Sequence, residues 1–347
     1  MKTKLLIGTL LSAFFLWLAF RNAQLGEVLA ALQRVRLDLL LATVVLTMAA
    51  YFLRAWRWRF LLLTVRPIGM RPLWNATMIG FMGNNLFPAR LGELWRAYLV
   101  GRSAGISRSS ALASIVIERL FDTFVLLGLF ALVLASHRLP EAVRGWGGYL
   151  VAVSAPIYAL LVLLKVRPGI FLRLVERFAP ERLRTRALEI TRNFRDGLGV
   201  LGHPRAMLAA LLLSVAMWAS LIGVVVLCFG ALDLDLPAEA GVVVLVVMAI
   251  GTMVPSAPGF VGTLQYAGTL ALKPYGVDPS IALTFTLIYH ASQWIPTTAV
   301  GLLCFALEQV SLKEVPGISS SRPAETGSIT KQAPEAGRPG LEGPARD

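Results

Sequence analysis

Charged residues are scarce in this chain, at 15% of 347, where a soluble domain carries about a quarter. That scarcity excludes an ordinary soluble globule, because 56% of the residues are hydrophobic and they gather into runs long enough to span a bilayer. Histidine and cysteine are nearly missing, with three and two copies, so no metal cluster is expected. Cys228 and Cys304 both sit inside apolar segments, where a lone cysteine is a small packing residue. The chain also lacks a Walker loop, a Gly-x-Ser-x-Gly elbow and a dinucleotide fingerprint. It is therefore not expected to be an enzyme or to need a cofactor.

What is present is hydrophobic sequence in eight segments, at roughly 5–20, 37–53, 73–87, 110–135, 147–165, 207–230, 240–255 and 281–306. The expected fold is an all-α integral membrane protein with six crossing helices and two re-entrant hairpins in an inverted repeat. The domain spans 1–306, with repeat halves at about 37–135 and 207–306 and a basic amphipathic segment at 166–205. Residues 307–347, rich in Pro, Gly, Ser, Ala and Glu, are expected to be a disordered cytoplasmic tail, too short for a soluble catalytic domain. After the first segment, Leu18-Ala19-Phe20-Arg21 offers no small-x-small cleavage site, so that segment reads as a retained anchor.

The net charge of +13 is not spread evenly. Arg54 to Arg71 follow the second segment and ten basic residues lie at 165–205, whereas the loop with Asp233, Asp235 and Glu239 has none. The positive-inside rule then puts both termini in the cytoplasm and the acidic loop outside. The stretch 21–36 becomes an external loop that carries Arg21, Arg34 and Arg36, against the rule. The run Arg-Ala-Trp-Arg-Trp-Arg at 54–59 reads as an interfacial tryptophan belt with inner-leaflet anchors, not as a nucleic-acid motif. Between 169 and 197, Phe171, Leu174, Val175 and Phe178, then Leu183, Ala187, Ile190 and Phe194, recur at helical spacing beside arginines. These are amphipathic helices broken near Pro180, lying on the inner leaflet or forming an ordinary basic loop.

Two stretches resemble each other. PARLGELWRAYLVGRSAGISRSSALASIVIERLFD (88–122) matches PGFVGTLQYAGTLALKPYGVDPSIALTFTLIYHASQ (258–293), with Pro88 on Pro258 and Gly92 on Gly262. After one inserted residue Gly105 falls on Gly276, and Glu118, Arg119 and Asp122 fall on Tyr289, His290 and Gln293. Chance likeness of two apolar stretches is the competing explanation, but the glycines and prolines agree as well as the apolar positions. Helix-breaking residues in corresponding places of two halves point to a binding site between the repeats. The breaks are Pro88 and Gly92 in the first half and Pro255, Pro258, Gly259 and Gly262 in the second.

Candidate binding residues follow from polarity at membrane depth. Glu118 lies about 14 Å along its helix, near the middle of a hydrocarbon core of about 30 Å, together with Arg119 and Asp122. Three charges there need partners or water: either a cavity for a charged headgroup or an internal Arg–carboxylate clamp satisfies them. Around the first break, Asn84, Asn85, Arg90, Glu93 and Arg96 form a dense polar group beside a half-helix whose positive end suits an anion. The alternative is a hairpin capped by its own asparagines. The second break contributes Gln265, with His290 and Gln293 on the following helix, either packed or lining the same cavity.

The stretches NNLFPARLGELWRAYLVGR, ALASIVIERLFD and PSAPGFVGTLQ resemble the lysylphosphatidylglycerol synthase transmembrane region family, also called flippase-like domains, over nearly all of 5–306. The resemblance implies an eight-segment membrane fold with re-entrant helices that handles or translocates lipids in a prokaryotic inner membrane. It assigns the polar motif to Asn85, Pro88, Arg90, Gly92, Glu93, Arg96, Glu118, Arg119 and Asp122, with Pro258, Gly259 and Gly262. This chain departs from the family at the second break, where Gly262-Thr263-Leu264-Gln265 stands in place of a Gly-x-x-Glu pattern. The expected partners are membrane lipids bearing phosphate. The leading function is translocation of an anionic or polyprenyl-type headgroup, and the alternative is a noncatalytic membrane partner of an enzyme of glycolipid, aminoacyl-lipid or hopanoid synthesis.

Overall fold

A computed structural model describes residues 2–87, 91–135, 145–254 and 256–308. Pro88, Arg90, Pro255 and nearly all of the tail lie outside the described residues. Each of the eight apolar segments holds an α-helix, and no strand occurs among the described residues. In chain order the α-helices are α1 Lys2–Phe20, α2 Leu25–Gln33, α3 Leu37–Leu62, α4 Met70–Leu86, α5 Gly92–Ala104, α6 Arg108–Ala135 and α7 Trp146–Val166. They continue as α8 Pro168–Phe178, α9 Glu181–Gly197, α10 Pro204–Ala231, α11 Ala238–Gly251, α12 Thr263–Leu272 and α13 Pro279–Leu307. Local chemistry sets several ends. Pro168, Pro204 and Pro279 open helices where the missing N–H loses no bond, and Asp278 caps α13 by accepting from Ser280 N at 2.7 Å.

Two helices, Leu37–Leu62 and Pro204–Ala231, are each long and apolar enough to cross a membrane. They pack against each other as the central pair. From each follows the same order of elements: α3, the hairpin α4–α5, then α6; α10, the hairpin α11–α12, then α13. The packing repeats too, with α4 against α13 and α11 against α6, so that each hairpin leans on the long helix of the other half. Gly105 and Gly276, equated by the sequence register, both sit after a hairpin in the left-handed region, at φ 63° and 71°. A side chain there would be strained, which explains why both halves use glycine.

The first hairpin is tight because glycine lets its two backbones touch. A Cβ on Gly92 would stand 1.7 Å from the carbonyl oxygen of Gly80 across the hairpin, so the pair cannot accommodate any larger residue without moving apart.

Two differences from the sequence reading stand out. The segment 21–36 is not a plain loop: its middle forms α2, whose Val28 is buried with Ala19 and Leu283. Helix α3 runs on past residue 53 to Leu62, carrying the run 54–59 inward. Arg57 and Trp58 are fully buried there, and only Trp56 and Arg59 face outward as anchors. The interfacial-belt reading of Arg54, Arg57 and Trp58 is therefore corrected, because partners on other helices neutralise these arginines. The amphipathic pair is present as α8 and α9, separated at Ala179 and Pro180. Helix α8 turns 94° from α7, with Leu174 and Phe178 exposed.

Beside the small group around Val28, apolar packing gathers in two large cores. One gathers α10 to α13, and the other α3 to α5. Helix α6 joins both: Ala111 to Leu120 enter the first-half core, and Val125 to Val133 enter the second-half core. Glu118 to Asp122 thus fall at the seam.

Candidate functional site

At this seam, Glu118 is completely buried and surrounded by guanidinium groups from three other points of the chain. Arg96 of α5 grips it in a two-pronged bond, Nη1 to Oε1 at 3.0 Å and Nη2 to Oε2 at 2.8 Å. Arg54 reaches Oε1 at 3.2 Å, Arg57 at 3.3 Å and the neighbouring Arg119 at 2.7 Å. Asp122, one turn on, accepts from Arg57 at 2.6 Å and from Arg54 at 3.3 Å, and pairs with Arg119 at 3.4 Å. Ser214 of α10 completes the shell by accepting from Arg57 Nη1 at 2.8 Å. Aromatic faces hold the arginines from the side: Trp58 lies 4.2 Å from the Arg96 guanidinium and Phe81 lies 5.0 Å from that of Arg54.

Removing charges from water is expensive, and only several well-made bonds offset that cost. Here Arg54, Arg57, Arg96 and Arg119 face Glu118, Asp122 and Glu93, four positive charges against three negative. Among the described residues one positive charge is uncompensated. It is also not evenly accessible: Arg96 and Arg57 have side chains 1% and 0% exposed, whereas Arg119 keeps 35% and its partner Glu93, 3.4 Å away, keeps 28%.

Arg119 and Glu93 open into a cavity of about 230 Å³ walled by both hairpins. Asn84, Asn85 and Phe81 line it from α4, Gly259 and Phe260 from the second break, and Tyr289, His290, Gln293 and Trp294 from α13. The two breaks nearly touch, since a Cβ on Gly259 would lie 3.3 Å from the Asn85 carbonyl oxygen. Gly259 and Phe260 are left-handed at φ 72° and 60°; for phenylalanine this is a strained backbone of the kind that collects at functional walls. A second cavity of about 210 Å³ shares Tyr51, Thr252, Leu264, Tyr289 and Gln293 with the first and adds Arg54 and Trp218.

The residues proposed from sequence divide into three groups. Asn84, Asn85, Glu93, Arg119, His290 and Gln293 line the cavity. Glu118, Arg96 and Asp122 form the charged bed beneath it, with Glu118 and Arg96 committed to each other. Gln265 is buried and orders the wall: its Oε1 accepts from Gly262 N at 2.7 Å and its Nε2 meets His290 Nδ1 at 2.8 Å. Asn84 also caps α5, its Oδ1 accepting from Gly92 N at 3.0 Å, and Asn85 donates to Thr298 Oγ1 at 2.9 Å. Gln293 donates to Thr47 Oγ1 at 2.6 Å. Pro258, Gly259 and Gly262 shape the second break, while Pro88, Arg90 and Pro255 lie outside the described residues.

Sequence reasoning missed Arg54 and Arg57, which reach Asp122 at 3.3 Å and 2.6 Å. Their signal was spacing: three residues apart, they share a helix face with Leu61, whereas surface anchors need not share one. Among the described residues no group of His, Cys, Asp and Glu is placed to hold a metal ion.

The sequence model for the lysylphosphatidylglycerol synthase TM region matches residues 5–301. A protein named glycosyltransferase AglD from Haloferax volcanii is 28% identical over 90% of this chain, and the chain spans only about half of that protein, 55%. A UPF0104 membrane protein of Methanothermobacter thermautotrophicus is 25% identical over 80% of this chain and 87% of its own. Another, from Methanocaldococcus jannaschii, is 26% identical over 67% of this chain and 96% of its own. No solved structure matches.

Proposed function

The chain belongs to the lysylphosphatidylglycerol synthase transmembrane region family, and on that premise we propose that it takes the phosphate-bearing headgroup of an anionic or polyprenyl-type lipid into the cavity between its hairpins and carries it between leaflets. The observation that carries this reading is the uncompensated positive charge beneath the cavity, presented through the exposed part of Arg119. A pure clamp would balance its charges and bury them all. At about 230 Å³ the space is below the usual range for whole ligand sites, about 300–1,000 Å³, and so suits a headgroup whose acyl chains stay in the bilayer. In this reading the protein is a multi-pass protein of a prokaryotic inner membrane with both termini cytoplasmic, an orientation supported by the arginine-rich loops.

A second reading is favoured by one relative: the chain matches about half of a protein named as a glycosyltransferase. On that reading it is a noncatalytic membrane partner that presents a lipid to a glycolipid-modifying enzyme. Reconstitution into vesicles with a labelled phosphatidylglycerol separates the two. The wild type should move label across the bilayer, and Arg119→Gln and Glu93→Gln should stop movement while melting near the wild-type temperature. Normal transfer by both variants would remove them from the site, and no transfer by the wild type would favour the partner reading.

A further inference from the structure

At the arginine-rich end of the fold lies a different and larger cavity, of about 780 Å³. It is bounded by the end of α3, the turn before α6, the bend between α7 and α8, and the end of α9, with Thr64, Arg66, Ser107, Ser110, Lys165 and Arg195 among its walls. Asp196 is a wall carboxylate, and Arg195 already holds it through Nε at 3.0 Å and Nη2 at 2.7 Å. Arg66 and Lys165 remain. Arg66 Nη1 donates to the Ala104 carbonyl at 2.7 Å, which fixes its guanidinium at the wall, and Lys165 forms no ion pair among the described residues.

The repeat supplies an independent argument. By the register that equates Gly105 with Gly276, Ser107 stands where Asp278 stands in the other half. Asp278 places a carboxylate on the first turn of α13, accepting from Ser280 N and Ile281 N. Ser107 caps α6 with a neutral hydroxyl, accepting from Ser110 N at 3.0 Å. One helix start therefore carries its own anion, and the other meets a cavity whose walls set Arg66, Lys165 and Arg195 against Asp196; the positive end of a 28-residue helix favours an anion there.

We propose that this cavity is a second anion site, which binds a phosphate group through Lys165, Arg66 and the start of α6. The phosphate belongs either to a lipid headgroup at the membrane surface or to a small soluble molecule. The site does not depend on the transport reading of the inter-hairpin cavity.

The test uses the full chain in phosphatidylcholine nanodiscs and follows its melting temperature. One arm titrates inorganic phosphate against chloride at matched ionic strength, and the other replaces part of the lipid with phosphatidic acid. Wild type should be stabilised in at least one arm: phosphate alone identifies a soluble source, and phosphatidic acid alone identifies a headgroup. Lys165→Gln should need about tenfold more anion, as expected for one lost charge-assisted bond. Arg59→Gln, which removes an exposed arginine outside both cavities, should respond as wild type does. No stabilisation in either arm, an unchanged response in Lys165→Gln, or loss of response in Arg59→Gln would each overturn the proposal.

Discussion

Neutralising Glu118 by Glu118→Gln should destabilise the protein more than any other single change in the charged bed. Its carboxylate has no contact with water and meets four guanidiniums: Oε1 lies within 3.3 Å of Arg54, Arg57, Arg96 and Arg119, and Oε2 within 2.8 Å of Arg96. The substitution leaves Arg54, Arg57, Arg96 and Arg119 with only Asp122 and Glu93, raising the local excess from one positive charge to two. It also turns an amide N–H₂ toward groups that only donate. At an effective dielectric of 20, a pair at 4 Å is worth about 4 kcal/mol, and the desolvation no longer needed offsets part of several such terms. Breaking a buried pair by removing one partner costs about 3–5 kcal/mol net, and that is the expected loss here. The eight tryptophans make intrinsic fluorescence during a thermal melt in detergent a suitable readout. Arg96→Gln added to Glu118→Gln restores the original charge excess and should recover about 0.5–3 kcal/mol of the loss, the coupling usual for residues in contact. If Glu118→Gln melts as the wild type does, or if the two losses simply add, the bed is not the electrostatic unit described above.

Two further tests address topology and packing. A cysteine placed at Asp235 should react with an impermeant thiol reagent applied from outside the cell, with little background because Cys228 and Cys304 are buried; reaction only from the cytoplasm would reverse the orientation. Gly92→Ala should cost at least about 1–3 kcal/mol, since its Cβ would meet the Gly80 carbonyl backbone, whereas Gly26→Ala, with nothing within 4 Å, should be neutral or gain up to about 1 kcal/mol of helix propensity. Equal melting of these two variants would contradict the close hairpin contact.

Local signals made much of this legible. Apolar runs, with Pro180 separating two helices, marked where helices lie, and Gly105 and Gly276 carried the repeat in residues that occupy matching left-handed turns. The stretch 21–36 misled because its charges at both ends, Arg21, Arg34 and Arg36, masked the short apolar helix Leu25–Gln33 between them. The run 54–59 misled because arginine and tryptophan alternate in the same way at a membrane interface and on a buried face.

By itself the sequence determined that this is a helical membrane protein with two related halves and that Glu118, Arg119 and Asp122 lie together on one helix. Hydrophobicity, helix propensity and short-range spacing are properties of neighbouring residues and need no fold to be read. Only the tertiary structure decided which charges neutralise which. Arg57 finds Asp122 65 residues away, Arg54 finds Glu118 64 away, and Asn85 meets Thr298 213 away. Such pairings follow from the rotation and crossing of packed helices, which interlocking side chains along whole helix faces set and no local stretch of sequence encodes.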